Sequence, residues 1–150
     1  MTERKTVFVL NGPNTNLYGH LDPGTYGAET YEDIVARVEE HGRSIGFDVT
    51  VRQSNHEGVL VDWIQEARMK AAAIVMNGAG AAYVSVSLYD ALSAFRGPIV
   101  EVHMSNTAKR EAFRHRSYVG LAATGTIAGF GSLGYVLALD ACARLLAKED

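Results

Sequence analysis

At 150 residues, 47% hydrophobic and 21% charged, the chain is long enough to bury one good core and matches the usual size of a single domain covering residues 1–150. Its formal net charge is only -3 and its basic residues are scattered, which excludes a nucleic-acid backbone as the expected partner. No apolar run approaches the roughly 20 residues that cross a bilayer, and Met1-Thr2-Glu3-Arg4-Lys5 leads into strand-like sequence without an apolar signal region, so no membrane partner and a cytoplasmic location are expected.

Short apolar runs alternate with longer segments of helical period, the pattern of a parallel sheet covered on both faces. Thr6-Val7-Phe8-Val9-Leu10 reads as the first strand. Thr30 followed by Asp33 resembles a capping box, and Ile34, Val35, Val38 and Ile45 then make an apolar stripe ending near Gly46. Val49-Thr50-Val51-Arg52 is the second strand, followed by a helix carrying Leu60, Ile64 and Ala67. Ala73-Ile74-Val75-Met76 is the third strand, with a helix over roughly Val84 to Phe95 behind it. Pro98-Ile99-Val100-Glu101-Val102 is the fourth and Gly125-Thr126-Ile127-Ala128-Gly129 a short fifth. A last helix runs from about Ser132 to Ala147, with Leu133, Val136, Leu137, Leu145 and Leu146 expected toward the core. The lone Cys142 in that helix has no second cysteine to pair with, so it reads as a small buried hydrophobe in a reducing compartment.

Ligands of such sheets bind beyond the carboxyl ends of the strands. Those segments are polar here: Asn11-Gly12-Pro13-Asn14-Thr15-Asn16, Gln53-Ser54-Asn55-His56-Glu57-Gly58, Asn77-Gly78-Ala79-Gly80 and His103-Met104-Ser105-Asn106. Glu101 and His103, two residues apart on one strand, share a face, so the carboxylate can orient the ring of a general acid or base. A structural Glu-His pair gives the same pattern. His56-Glu57 is more simply explained by Ser54 or Asn55 capping the next helix. Gly78 and Gly80 lack the rest of a dinucleotide or Walker pattern, and the histidines His20, His41, His56, His103 and His115 are not spaced as ligand pairs, so neither nucleotide cofactor nor metal is expected. The stretch Tyr18 to Gly27 is glycine-rich, polar and long enough to fold over a pocket as a lid. Arg110 and Arg114 fall at helical spacing on one face, either solvated or aimed at an anionic or polyhydroxylated substrate.

These blocks together resemble the type II 3-dehydroquinate dehydratases. The likeness runs nearly end to end, through Leu10-Asn11-Gly12-Pro13-Asn14, Asn16-Leu17, Gly19, Pro23, Tyr26-Gly27, Gln53 to Gly58, Glu101-Val102-His103, Ser105-Asn106, Arg110-Glu111 and Phe113-Arg114-His115. It implies a flavodoxin-like, doubly wound five-stranded parallel sheet, a cofactor-free and metal-free hydro-lyase, and a homo-oligomer, a dodecamer built from trimers. The implied reaction eliminates water from 3-dehydroquinate through an enolate, giving 3-dehydroshikimate. The resemblance makes Tyr26 the base, gives Asn14 the water that steadies the enolate, and has His103, oriented by Glu101, protonate the departing hydroxyl. Asn77, Ser105 and the adjoining amide at Met104 would take the substrate carboxylate. Arg114, Arg110 and Tyr83 would line the hydroxyl side, and Asp90 would reach into a neighbouring subunit's site.

The sequence departs from the pattern in the lid, where Leu21 replaces an arginine that favours the tyrosinate. An unassisted phenol, with a pKa near 10, is a poor base at neutral pH. His20 or Arg110 are the nearest substitutes. After the third strand, Ala81 and Tyr83 stand for a tyrosine and a histidine; Tyr89 replaces an arginine and Ala108 a histidine. Two further readings follow from these changes. One is an enzyme for another cyclic hydroxy acid or lactone, and the other is a non-catalytic ligand-binding or assembly homologue.

Overall fold

The computed structural model describes residues 3–148; the expectation placed on Met1 and Thr2 lies outside them. Five parallel strands, β1 (Lys5–Asn11), β2 (Phe47–Gln53), β3 (Ala73–Asn77), β4 (Ile99–His103) and β5 (Gly125–Ala128), form one sheet in the order β2-β1-β3-β4-β5. The helices are α1 (Pro23–Tyr26), α2 (Tyr31–Ser44), α3 (Glu57–Lys70), α4 (Val86–Ser93), α5 (Tyr118–Ala122) and α6 (Leu133–Ala147). The alternation of apolar runs predicts the parallel sheet with helices on both faces, and the strand order is the flavodoxin-like one that the resemblance implies.

β1 shows why both faces are covered. Side chains alternate along a strand, so Val7 and Val9 enter the layer built with Ile34 and Val38 of α2 and Leu139 of α6. Phe8 and Leu10 enter the opposite layer with Leu60 and Ile64 of α3 and Leu88 and Leu92 of α4. The α2 terminus is fixed by the capping box, with the Thr30 hydroxyl accepting from Asp33 N and the Asp33 carboxylate from Thr30 N.

Three local expectations are corrected. Leu133 and Leu137 of α6 are exposed, at 41% and 37%, and the buried face carries Tyr135, Ala138, Leu139, Cys142 and Leu146 instead. The α3 terminus has no side-chain cap: the Ser54 hydroxyl accepts from His56 N, and the Asn55 side chain accepts from Asn14 N. Arg110 and Arg114 are not on one helix, because two separate 3-10 turns, Thr107–Lys109 and Ala112–Arg114, carry that segment. Among the described residues no helix is long and apolar enough to cross a membrane.

Candidate active site

The chain reverses direction across the sheet at β1, where β2 and β3 lie on opposite sides, and the carboxyl edge there is the expected ligand position. Asn11 aligns with Gln53 on one neighbour and Asn77 on the other, so the polar loops converge on this edge as the sequence requires. Gly12 permits their close approach. A Cβ on it would come within 2.3 Å of the Gly78 carbonyl oxygen, while its amide donates to Asn77 O at 2.8 Å.

A pocket of about 140 Å³ opens there. Its volume is close to the roughly 150 Å³ of a cavity that takes a single six-membered ring. Asn14, Tyr26, Asn77, Tyr83, His103, Met104, Ser105, Arg110 and Arg114 all reach its wall. Asp90 does not: it is exposed on α4 beside Val61 and Arg68 of α3, away from this chain's own pocket.

Glu101 and His103 form the buried pair that their spacing predicts, with His103 Nε2 2.8 Å from the carboxylate and the side chains of Glu101 and His103 2% and 6% exposed. Burial pushes the Glu101 carboxyl up. The hydrogen bond and charge of His103, with hydrogen bonds from Ser117 and Thr126, outweigh that and hold it below the usual carboxylate value. Ser117 donates to one carboxylate oxygen and Thr126 to the other at 3.0 Å. Gly120 of α5 leaves room for them, since a Cβ there would sit 2.8 Å from Glu101 Oε1. The other ring nitrogen of His103, Nδ1, lies 3.2 Å from the Tyr83 hydroxyl, and the two rings stack at 5.7 Å.

On the lid side, Tyr26 ends α1, whose start is set by Pro23 and by the Asp22 carboxylate accepting from Gly24 N and from the Thr25 hydroxyl. The Tyr26 hydroxyl accepts from Arg110 Nη1 at 2.7 Å, and the same nitrogen donates to Ser105 Oγ at 3.2 Å. A cation therefore reaches the lid phenol although position 21 holds leucine, whose side chain lines the pocket and packs on the core. Arg114 lies against the Tyr83 ring, 5.5 Å from its centroid. Asn14 adopts a left-handed conformation (φ 70) that turns it to the pocket mouth.

Asn77 differs from expectation. Its amide nitrogen donates to Tyr18 and Tyr135 at 2.9 and 2.8 Å and its oxygen accepts from Ala79 N, leaving no free donor for a substrate carboxylate. The Tyr135 hydroxyl in turn donates to the Asn11 side chain at 2.6 Å. Asn77 thus belongs to a buried network under the pocket floor. Ser117, Thr126 and Tyr135 are not among the expected site residues, and Tyr18 is expected only as the start of the stretch over the pocket; nothing local in the sequence couples these four to residues 16 to 124 positions away. Among the described residues no three His, Cys, Asp or Glu side chains gather as a metal site would need.

Fold and pocket define a flavodoxin-like α/β protein equipped for acid-base chemistry, with a cation-held phenol and a carboxylate-held imidazole lining the same pocket. The family model described as Dehydroquinase class II matches residues 5–143. The 3-dehydroquinate dehydratases of Phenylobacterium zucineum and Rhizobium meliloti are 51% and 49% identical, over 94% and 96% of this chain and 97% of their own lengths. The solved type II dehydroquinase from Propionibacterium acnes superposes with a TM-score of 0.91 at 42% identity, covering 96% of this chain and 99% of that one. The chain belongs to the type II dehydroquinase family.

Proposed function

We propose that the pocket eliminates water from 3-dehydroquinate to give 3-dehydroshikimate, a hydro-lyase reaction, as the names of relatives near 50% identity indicate. The observation that carries the reading is that a cation-held phenol and a carboxylate-held imidazole line one pocket. Tyr26, held by Arg110, takes the proton next to the ketone; the Glu101-His103 pair supplies the proton that leaves with the hydroxyl. The Arg110 guanidinium touches the phenol oxygen at 2.7 Å, so a cation contacts the base although position 21 holds leucine. Asn14 at the mouth holds the water that steadies the enolate, and Ser105 with the Met104 amide takes the carboxylate. Asn77 acts from beneath, by fixing the floor.

The reading includes a single-domain chain needing no metal or cofactor, a cytoplasmic location, and a homo-oligomer built from trimers, a dodecamer. Support for assembly is the placement of Asp90, exposed and outside its own pocket, where it is free to serve another copy. The test is the appearance of the conjugated enone from 3-dehydroquinate, followed spectrophotometrically without added metal. Turnover is expected; no turnover at any pH between 6 and 10 would sink the reading. A light-scattering mass of one chain would sink the assembly.

A further inference from the structure

We propose that Tyr83 carries the proton from His103 to the departing hydroxyl, so that the acid touching substrate is the phenol and not the imidazole. The inference deepens the dehydration proposed above and rests on it.

An imidazole has two nitrogens, and both are occupied here. Nε2 faces the Glu101 carboxylate at 2.8 Å and Nδ1 faces the Tyr83 hydroxyl at 3.2 Å. The ring itself is buried, and stacked flat against Tyr83 at 21°. Both side chains line the pocket, but His103 is only 5% exposed and each of its ring nitrogens already has a partner, so a substrate hydroxyl reaches Nδ1 only in place of the Tyr83 hydroxyl. The row Glu101, His103, Tyr83 ends at the cavity.

The transfer balances. The Tyr83 O–H proton passes to the departing oxygen as the C–O bond breaks, its electron pair leaving with that oxygen as water. The Tyr83 oxygen takes the Nδ1 proton of the imidazolium, leaving neutral His103 with its remaining proton on Nε2, toward Glu101. The proton removed from carbon by Tyr26 returns through solvent to His103, which resets both groups. The charged groups acting on Tyr83 are Arg114, Glu101 and Arg110. Burial raises the Tyr83 phenol above its ordinary value while Arg114 opposes the rise, so at neutral pH Tyr83 is a protonated donor and not a second base.

The experiment compares Tyr83→Phe and Tyr83→His with the unaltered protein, using 3-dehydroquinate. Phenylalanine keeps the ring and its stack and removes only the relay oxygen. General acids contribute about 10²- to 10⁴-fold, so Tyr83→Phe should lower kcat at least tenfold and leave KM within about threefold. In D₂O, Tyr83→Phe should still exchange the hydrogen next to the ketone faster than it eliminates water, because Tyr26 is intact. Tyr83→His, which keeps a hydrogen-bonding group there, should retain turnover closer to that of the unaltered protein. A kcat for Tyr83→Phe less than tenfold down, a change in KM alone, exchange lost in step with elimination, or equal losses in both variants would each overturn the carrier role. Absence of turnover by the unaltered protein would instead overturn the function proposed for the site, a result visible before any variant is made.

Discussion

Replacing Arg110 with Met removes the cation from the Tyr26 hydroxyl while keeping most of the side chain's reach. The contact is short, 2.7 Å, and the Arg110 side chain is 20% exposed, so solvent replaces little of what it supplies. Hydrogen bonds to charged groups contribute about 1.5–3 kcal/mol. At about 1.36 kcal/mol per factor of ten, kcat for 3-dehydroquinate should fall roughly 10- to 150-fold near neutral pH. The assay is the initial rate of enone formation at saturating substrate. Because Leu21 lines the same pocket, Leu21→Arg in the Arg110→Met background should recover about tenfold by returning a cation to the phenol. Tyr26→Phe should abolish turnover in every background. A kcat for Arg110→Met within twofold of the unaltered protein would refute the claim that Arg110 has replaced the lid arginine. Survival of turnover in Tyr26→Phe would refute the choice of base.

Three further outcomes follow from the buried groups. Glu101 sits below the usual carboxylate value when folded, so its contribution to stability is full above the unfolded glutamate value near 4.3 and is lost as pH falls through the lower folded value. The melting-temperature gap between the protein and Glu101→Gln should accordingly be constant from pH 7 to about 5 and close below about 4; a gap that widens on acidification contradicts this. Burial pushes the Cys142 thiol up to about 12, so iodoacetamide at pH 8 should leave it unmodified until denaturant is added. Tyr135→Phe strands the Asn77 donor and the Asn11 acceptor and should lower unfolding free energy by about 1–3 kcal/mol in a urea titration. No change there would mean that water fills the gap.

What the sequence discloses and what it hides divides along chain distance. Strands β1, β3 and β4 are runs of mostly buried apolar residues, and the Thr30 capping box is complete within four positions, so both are local and readable. The α6 stripe misled because its buried face is made of small and aromatic side chains, Ala138, Cys142 and Tyr135, while its leucines at 133 and 137 point outward. Helix α5 has five residues, too few to show a period, yet its Ser117 cap and Gly120 seat the Glu101 carboxylate. The contact between Arg110 and Tyr26 joins positions 84 apart. From the sequence alone, Leu21 therefore looks like a missing cation.

The segment from Arg110 to Arg114 shows how one short loop serves both tyrosines. Arg110 reaches the base at Tyr26, and Arg114 lies against Tyr83 on the acid side. Glu111 stands between them, 3.5 Å from Arg110 Nε and 3.0 Å from Arg114 Nε. That carboxylate is half exposed, and ion pairs of this kind contribute about 0–1 kcal/mol. The pairing therefore cannot by itself impose the split. Backbone does so: Arg110 leaves the first 3-10 turn in an extended conformation (ψ -173) and Arg114 closes the second, so the two cations leave from separate turns and meet different aromatic partners, Tyr26 and Tyr83. A continuous helix would have stacked both arginines on one face and left one of the two tyrosines without its cation.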